Sequence, residues 1–256
     1  MSAILVYFES ILRPFARVLR LFRLTLTGLL TSKPRWTEIM ASVVQIGVGS
    51  LPLVALTTVF AGLIVTNEIA WHMDKALHTT EMIPGFTGQF VIRELGIAIP
   101  AILLVSKVGA SITAEVSTMK VTEQIEALEL LGIDPVRYLV VPRFVASILS
   151  GACLTLITIG ITLGFAIGVA VLEYNFSVLE YLNALRHFVG FKDLAGALVK
   201  GMVYGAVIPV ISCAYAFECK GGADGVGTAT TDSVVAETAT IITLDFALTY
   251  LFTSVL

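Results

Sequence analysis

Charged side chains are scarce. Only 14% of the 256 residues are Asp, Glu, Lys or Arg, while 57% are hydrophobic. A soluble domain carries about a quarter charged residues. A deficit over the whole length therefore excludes an ordinary soluble core and points to a chain that crosses a membrane several times. Cysteine is almost missing. Cys153, Cys213 and Cys219 are odd in number and have neither disulfide nor metal spacing. The three histidines, His72, His78 and His187, are scattered, which leaves no metal site to expect. Ser111 and Thr113 have no histidine nearby in the chain, so no catalytic nucleophile is expected. The net charge of −3 gives no reason to expect nucleic acid as a partner.

What the chain has is long apolar runs. About 20 residues span a bilayer, and five spans are expected, at 39–67, 90–115, 144–172, 194–217 and 233–256. Pro52 is expected to kink the first. Gly160, Gly164 and Gly168 form a stripe along the third that would admit a neighbouring helix. Residues 68–89 read as a polar hairpin with Pro84 and Gly85 as its turn, and 218–231 as a glycine-rich loop. In that loop Gly222 and Gly227 have the spacing of a phosphate-binding loop. Thr228 stands where its lysine should be, which excludes nucleotide binding there.

Residues 1–35 form a separate region. Arg13, Arg17, Arg20 and Arg23 share one helix face, and Phe8, Ile11, Leu12, Phe15, Val18, Leu19, Phe22 and Leu26 fall opposite. This is the pattern of a helix lying in the membrane interface; a surface helix packed on a core is the alternative. The arginines follow the apolar start, unlike those of a cleaved signal. Pro14 is expected to kink the helix or begin its second part. Five spans put the termini on opposite sides. Arg13, Arg17, Arg20, Arg23, Lys33, Arg35, Lys120, Arg137, Arg143 and Lys220 collect on one side. Lys75, Arg186 and Lys192 collect on the other. The positive-inside rule makes the N-terminus cytoplasmic and the C-terminus external.

Four charges, Arg93, Glu94, Lys200 and Asp245, fall within spans in the expected outer half. Intramembrane charges are costly and mark candidate sites. They form either a neutralised packing network or a polar patch for a lipid headgroup, with Arg93 as phosphate partner. Leu63, Ile64 and Val65 are candidates by position for an acyl-chain wall, or are plain packing residues. Lys107 is expected to snorkel.

Between the second and third spans lies a dense polar elbow. Val121, Ile125 and Leu128 recur at helical spacing, with Glu123, Glu126 and Glu129 on the far side. Gly132 is a helix stop, and Asp134-Pro135 a helix start. A helix at about 118–132 is expected, either as a plain connection or as a docking element.

The run VGASITAEVSTMKVTEQIEALELLGIDPVRYLVVPR, with RELG at 93–96, GGADGVGTATT at 221–231 and LDFALT at 244–249, resembles the MlaE family of permeases. The resemblance implies an all-α integral membrane protein whose permease domain covers 36–256. It would be the permease subunit of an ATP-driven transporter in a bacterial inner membrane, with a periplasmic C-terminus. Phospholipid would pass between that membrane and an external MCE protein. The elbow would be a coupling helix, with Glu123, Gln124, Glu126, Leu128, Glu129 and Gly132 against a cytoplasmic ATPase. The implied partners are a second copy of the chain, two ATPase copies carrying ATP and magnesium, and a small cytoplasmic regulatory subunit. The chain itself would bind no cofactor and catalyse no reaction. The alternative is a scaffold that assembles the ATPase and the MCE protein without holding lipid. Lys107 and Asp232 stand where the family often has arginine.

Overall fold

The computed structural model describes residues 2–31, 35–78 and 81–255, and their side chains except at 2–12, 77 and 255. The expectations for Phe8, Ile11, Leu12 and Lys33 lie outside the described residues. Everything described is helix or short connection. The helices are α1 (Ser2–Thr31), α2 (Trp36–Ala76), α3 (Ile83–Val121), α4 (Gln124–Leu130), α5 (Val136–Glu173), α6 (Val178–Phe188), α7 (Phe191–Ala216) and α8 (Gly222–Val255). Five of them, α2, α3, α5, α7 and α8, are long and apolar enough to cross a membrane.

The bundle is built around α5, which packs on α2 and α7; α8 closes against α7 and α3. The core runs through Ile97, Leu104 and Val116 of α3, Leu154 and Ile159 of α5, Tyr204 and Ile208 of α7, and Ile241 of α8. Only 22% of the most apolar window of α2 and 11% of that of α8 are buried, against half in α3 and α7. A soluble chain does not leave such faces open; lipid or another apolar surface must cover them.

Contact between α5 and α7 is made by backbone. Gly151 faces the Gly201 carbonyl, and Gly205 faces that of Ser147, with no room for a Cβ at Gly205. The expected stripe at Gly160, Gly164 and Gly168 does not serve this purpose, since no neighbour of this chain lies within 4 Å of it.

Several boundaries differ from the expectation. The helix of the first span continues past Asn67 and Glu68 and ends at left-handed His78. Pro84 and Gly85 are not the turn. They open α3, because proline suits a first helical turn, where no N–H partner is needed. Gly85 and Gly88 are buried there under Phe188 and Leu185 of α6. Most of the expected glycine-rich loop is instead the start of α8. Asp224 lies in its first turn, where a carboxylate complements the helix dipole, and Thr228 and Thr231 bond back to carbonyls one turn earlier. α6 was not foreseen, although its capping box was present: Ser177 and Glu180 satisfy each other's backbone N–H groups.

α1 runs unbroken through Pro14. It lies on the bundle by Leu21, Thr25 and Gly28, and Phe22 meets Phe144 edge-on at 6.1 Å. Phe15, Leu19 and Leu26 stay exposed.

Candidate functional site

Three of the four intramembrane charges meet in one knot. Lys200, only 3% exposed, donates to Asp245 Oδ1 at 2.9 Å, Thr249 Oγ1 at 2.6 Å and the Arg93 carbonyl at 2.9 Å. An ammonium has three N–H donors, and these contacts use all three. Glu94 stands further off, at 3.4 Å, and is fixed by the Thr249 hydroxyl at 2.9 Å. Tyr204 donates to Asp245 at 2.6 Å. The knot thus ties α3, α7 and α8 together, and Lys200 does pair with Asp245.

Arg93 does not join it by its side chain. Its Nε donates to Asp193 at 2.7 Å, while the other oxygen of Asp193 accepts the Gly190 N–H and caps α7. Asp193 thus holds Arg93 in place, a role whose one signal in the sequence is its position three residues after Gly190. With 38% of its side chain exposed, Arg93 lines a cleft of about 370 Å³ together with Glu94, Gln89, Thr249, Ile69, Phe86 and Phe90. Ligand pockets run from about 300 to 1,000 Å³. Leu63, Ile64 and Val65 do not line this cleft, and Ile64 points away from its own bundle at 64% exposure. The apolar lining of this cleft is Ile69, with two phenylalanines from α3.

Arg93 and Glu94 lie in a π-helical turn, Val91–Leu95. Such a turn inserts a residue into the ladder and is frequent at functional sites.

A second polar knot lies nearer the elbow. Glu237 of α8 is fully buried. Its Oε1 accepts from Ser212 at 2.6 Å and Ser233 at 2.7 Å, and Thr113 donates to Ser233 at 2.9 Å. Its Oε2 lies against Gly109 and has no hydrogen-bond partner among the described residues. In the sequence the one local signal of Glu237 is that it interrupts a largely uncharged run.

At the elbow, α3 ends at Val121 and left-handed Glu123 separates it from α4. Gly132, at φ 75°, ends α4, and the Asp134 carboxylate accepts the Val136 N–H at 2.9 Å. Glu123 is therefore in the break, with Gln124, Glu126, Leu128 and Glu129 on α4. The stripe of Val121, Ile125 and Leu128 has a use inside the chain: Ile125 is buried, and Leu128 packs on the core. What α4 offers outward is Leu130 and Leu131, 89% and 75% exposed, beside Glu129. Glu126 is bonded to Lys120, which holds its carboxyl below the usual range.

Among the described residues no three His, Cys, Asp or Glu side chains gather as metal ligands do. A family model described as Permease MlaE matches residues 39–251. A probable ABC transporter permease protein of Rickettsia felis is 37% identical over 221 residues, covering 84% of this chain and 82% of the relative. A chloroplast protein of Arabidopsis thaliana, named trigalactosyldiacylglycerol 1, is 33% identical over 226 residues, covering 88% of this chain and 64% of the relative.

Proposed function

The chain belongs to the MlaE family of permeases, and from that premise we propose that it is the lipid-conducting subunit of an ATP-driven transporter. Phospholipid is the cargo, exchanged between the inner membrane and an MCE protein on the outer side. The observation that carries this reading is the cleft at Arg93 and Glu94. It pairs an apolar wall, Ile69, Phe86 and Phe90, with one guanidinium and one carboxylate at its polar end. A phospholipid presents the same two parts. A guanidinium suits a phosphate oxygen pair, and the carboxylate suits a headgroup amine. The relative named for a galactosylated diacylglycerol supports a glycerolipid cargo.

Force enters at the other end. α4 docks in a cytoplasmic ATPase through Glu123, Gln124, Glu126, Leu128, Glu129 and Gly132, with Leu130 and Leu131 as its apolar tip. ATP and magnesium stay on that partner. A second copy of the chain covers part of the open faces of α2 and α8, which carry Val48 and Phe60, and Ile242 and Phe246. Movement of α4 is passed to α3 and α5, to which it is joined by a few residues on each side.

The test is ATP-dependent lipid transfer by the reconstituted complex. Arg93→Gln and Glu94→Gln should each reduce transfer while leaving ATPase co-purification intact. Unchanged transfer in the double variant would favour a scaffold that holds no lipid.

A further inference from the structure

A second cavity, of about 150 Å³, opens between α2, α3 and α5 on the elbow side of the bundle. Its polar lining is Ser42 and Gln45 of α2, Lys107, Ser111 and Glu115 of α3, and Arg143 of α5. We propose that Lys107 and Arg143 form a second anion site, which takes the phosphate of a lipid headgroup from the elbow-side leaflet. The proposal rests on the lipid-conducting reading above and adds a station to it.

The charges do not balance. Lys107 and Arg143 contribute two positive charges and Glu115 one negative. Glu115 accepts from Arg143 at 2.7 Å, and the Leu139 carbonyl accepts a second donor of the same guanidinium. A guanidinium has five N–H donors, so this pairing still leaves Arg143 able to bind an anion. Lys107 donates to the Gly49 carbonyl, and among the described residues no carboxylate pairs with it. A carbonyl dipole orients an ammonium but does not neutralise it, and an uncompensated charge in a span is costly. An anion entering beside Lys107 would remove that cost.

The backbone is shaped for the purpose. Gln45 lies in the π-helical turn Val44–Val48 and Lys107 in the π-helical turn Val105–Gly109, so two of the three walls carry an inserted residue. Lys107, Ser111 and Gln45 are exposed, which leaves the mouth open at the surface of the chain. The position also fits. Lys107 follows Arg93 by 107 − 93 = 14 residues of α3, roughly 21 Å at 1.5 Å per residue. In a hydrocarbon core about 30 Å thick, the two cations belong to opposite leaflets. A headgroup crossing the membrane along α3 would leave one π-helical station and reach the other.

The test uses the full chain in nanodiscs of phosphatidylglycerol that contain a headgroup-diazirine analogue of the same lipid. Adducts are mapped by mass spectrometry after illumination. Wild type should give elbow-side adducts on residues 42–45 or 111–115 and outer adducts near Phe90. Losing one charge-assisted contact should reduce the elbow-side adducts about tenfold in Lys107→Gln. Lys107→Arg should retain them. Ser111→Phe, which fills the cavity but keeps both cations, should lose them. Elbow-side adducts that are absent in wild type, or unchanged in both Lys107→Gln and Ser111→Phe, would overturn the proposal. Inorganic phosphate that binds the lipid-free chain and is not displaced by phosphatidylglycerol would show a free-phosphate site and overturn the lipid assignment. Arg93→Gln should remove only the outer adducts. If outer adducts alone are missing from wild type, the first reading fails and the elbow-side site stands.

Discussion

The Lys200 ammonium lies 2.9 Å from Asp245 Oδ1, deep in the bundle, and joins α7 to α8. Each charge offsets the desolvation of the other. Lys200→Met would leave Glu94 and Asp245 as two carboxylates without their shared cation. Breaking a buried pair from one side costs about 3–5 kcal/mol, and the partial exposure of both carboxylates puts this case at the lower end. Replacing both partners, as Lys200→Met with Asp245→Leu, should recover part of the loss, because Glu94 still lacks the cation. Denaturant unfolding in micelles measures it. Additive losses in the double variant would mean that the two residues do not act as a pair.

Glycines at the contact of α5 and α7 should be far less tolerant than those of the open stripe. Gly205→Ala forces a methyl group into the Ser147 carbonyl. Overpacking of this kind costs about 1–3 kcal/mol. Gly160→Ala meets nothing within the chain and should not lower the stability of the isolated subunit. If it weakens only the assembled complex, the stripe serves an interface between chains. Gly109→Ala should behave like Gly205→Ala, because the new methyl group would displace the Glu237 carboxyl.

These glycines show where sequence reading ends. Periodicity marks Gly160, Gly164 and Gly168 as a close-contact face, but only the third dimension shows that Gly151 and Gly205 meet a backbone and that this stripe does not. The five spans were legible because apolar length is a local property. The break at Gly132 and the start at Asp134 were legible for the same reason. Pro84 misled because proline marks a turn and a helix start equally well. Asp193 and Glu237 were missed because their roles depend on partners 100 and 25 residues away. Ile69 was not legible as a lining residue of the cleft at Arg93, because the helix of the first span runs on beyond its apolar stretch.

The elbow should separate folding from docking. Leu130→Ser with Leu131→Ser alters two exposed side chains and should leave the unfolding midpoint unchanged while reducing co-purification with the ATPase. Leu128→Arg with Glu126→Lys should abolish co-purification and also loosen α4, because Leu128 packs on the core. Full co-purification in both variants would remove the docking role.

Acid should loosen the same elbow. The Lys120 hydrogen bond holds Glu126 below its ordinary value of 4.5. A lowered carboxyl pKa contributes stability that is present above the unfolded value and lost as pH falls through the folded one. Amide protection over residues 124–130, corrected for intrinsic exchange, should therefore hold at neutral pH and fall below pH 4.5. Lys120→Gln should show weaker protection at neutral pH and a smaller further loss in acid. Equal acid sensitivity in both proteins would remove Glu126 from the account.

Lipid retained by the purified complex tests the central claim most directly. Mass spectrometry of the wild-type complex should find bound phospholipid in a fixed ratio to the chain. The variant Arg93→Gln with Glu94→Gln, purified in the same detergent and equally well folded, should retain clearly less. Equal phospholipid in both, or none in the wild type, would contradict the assignment of the cleft as a lipid site.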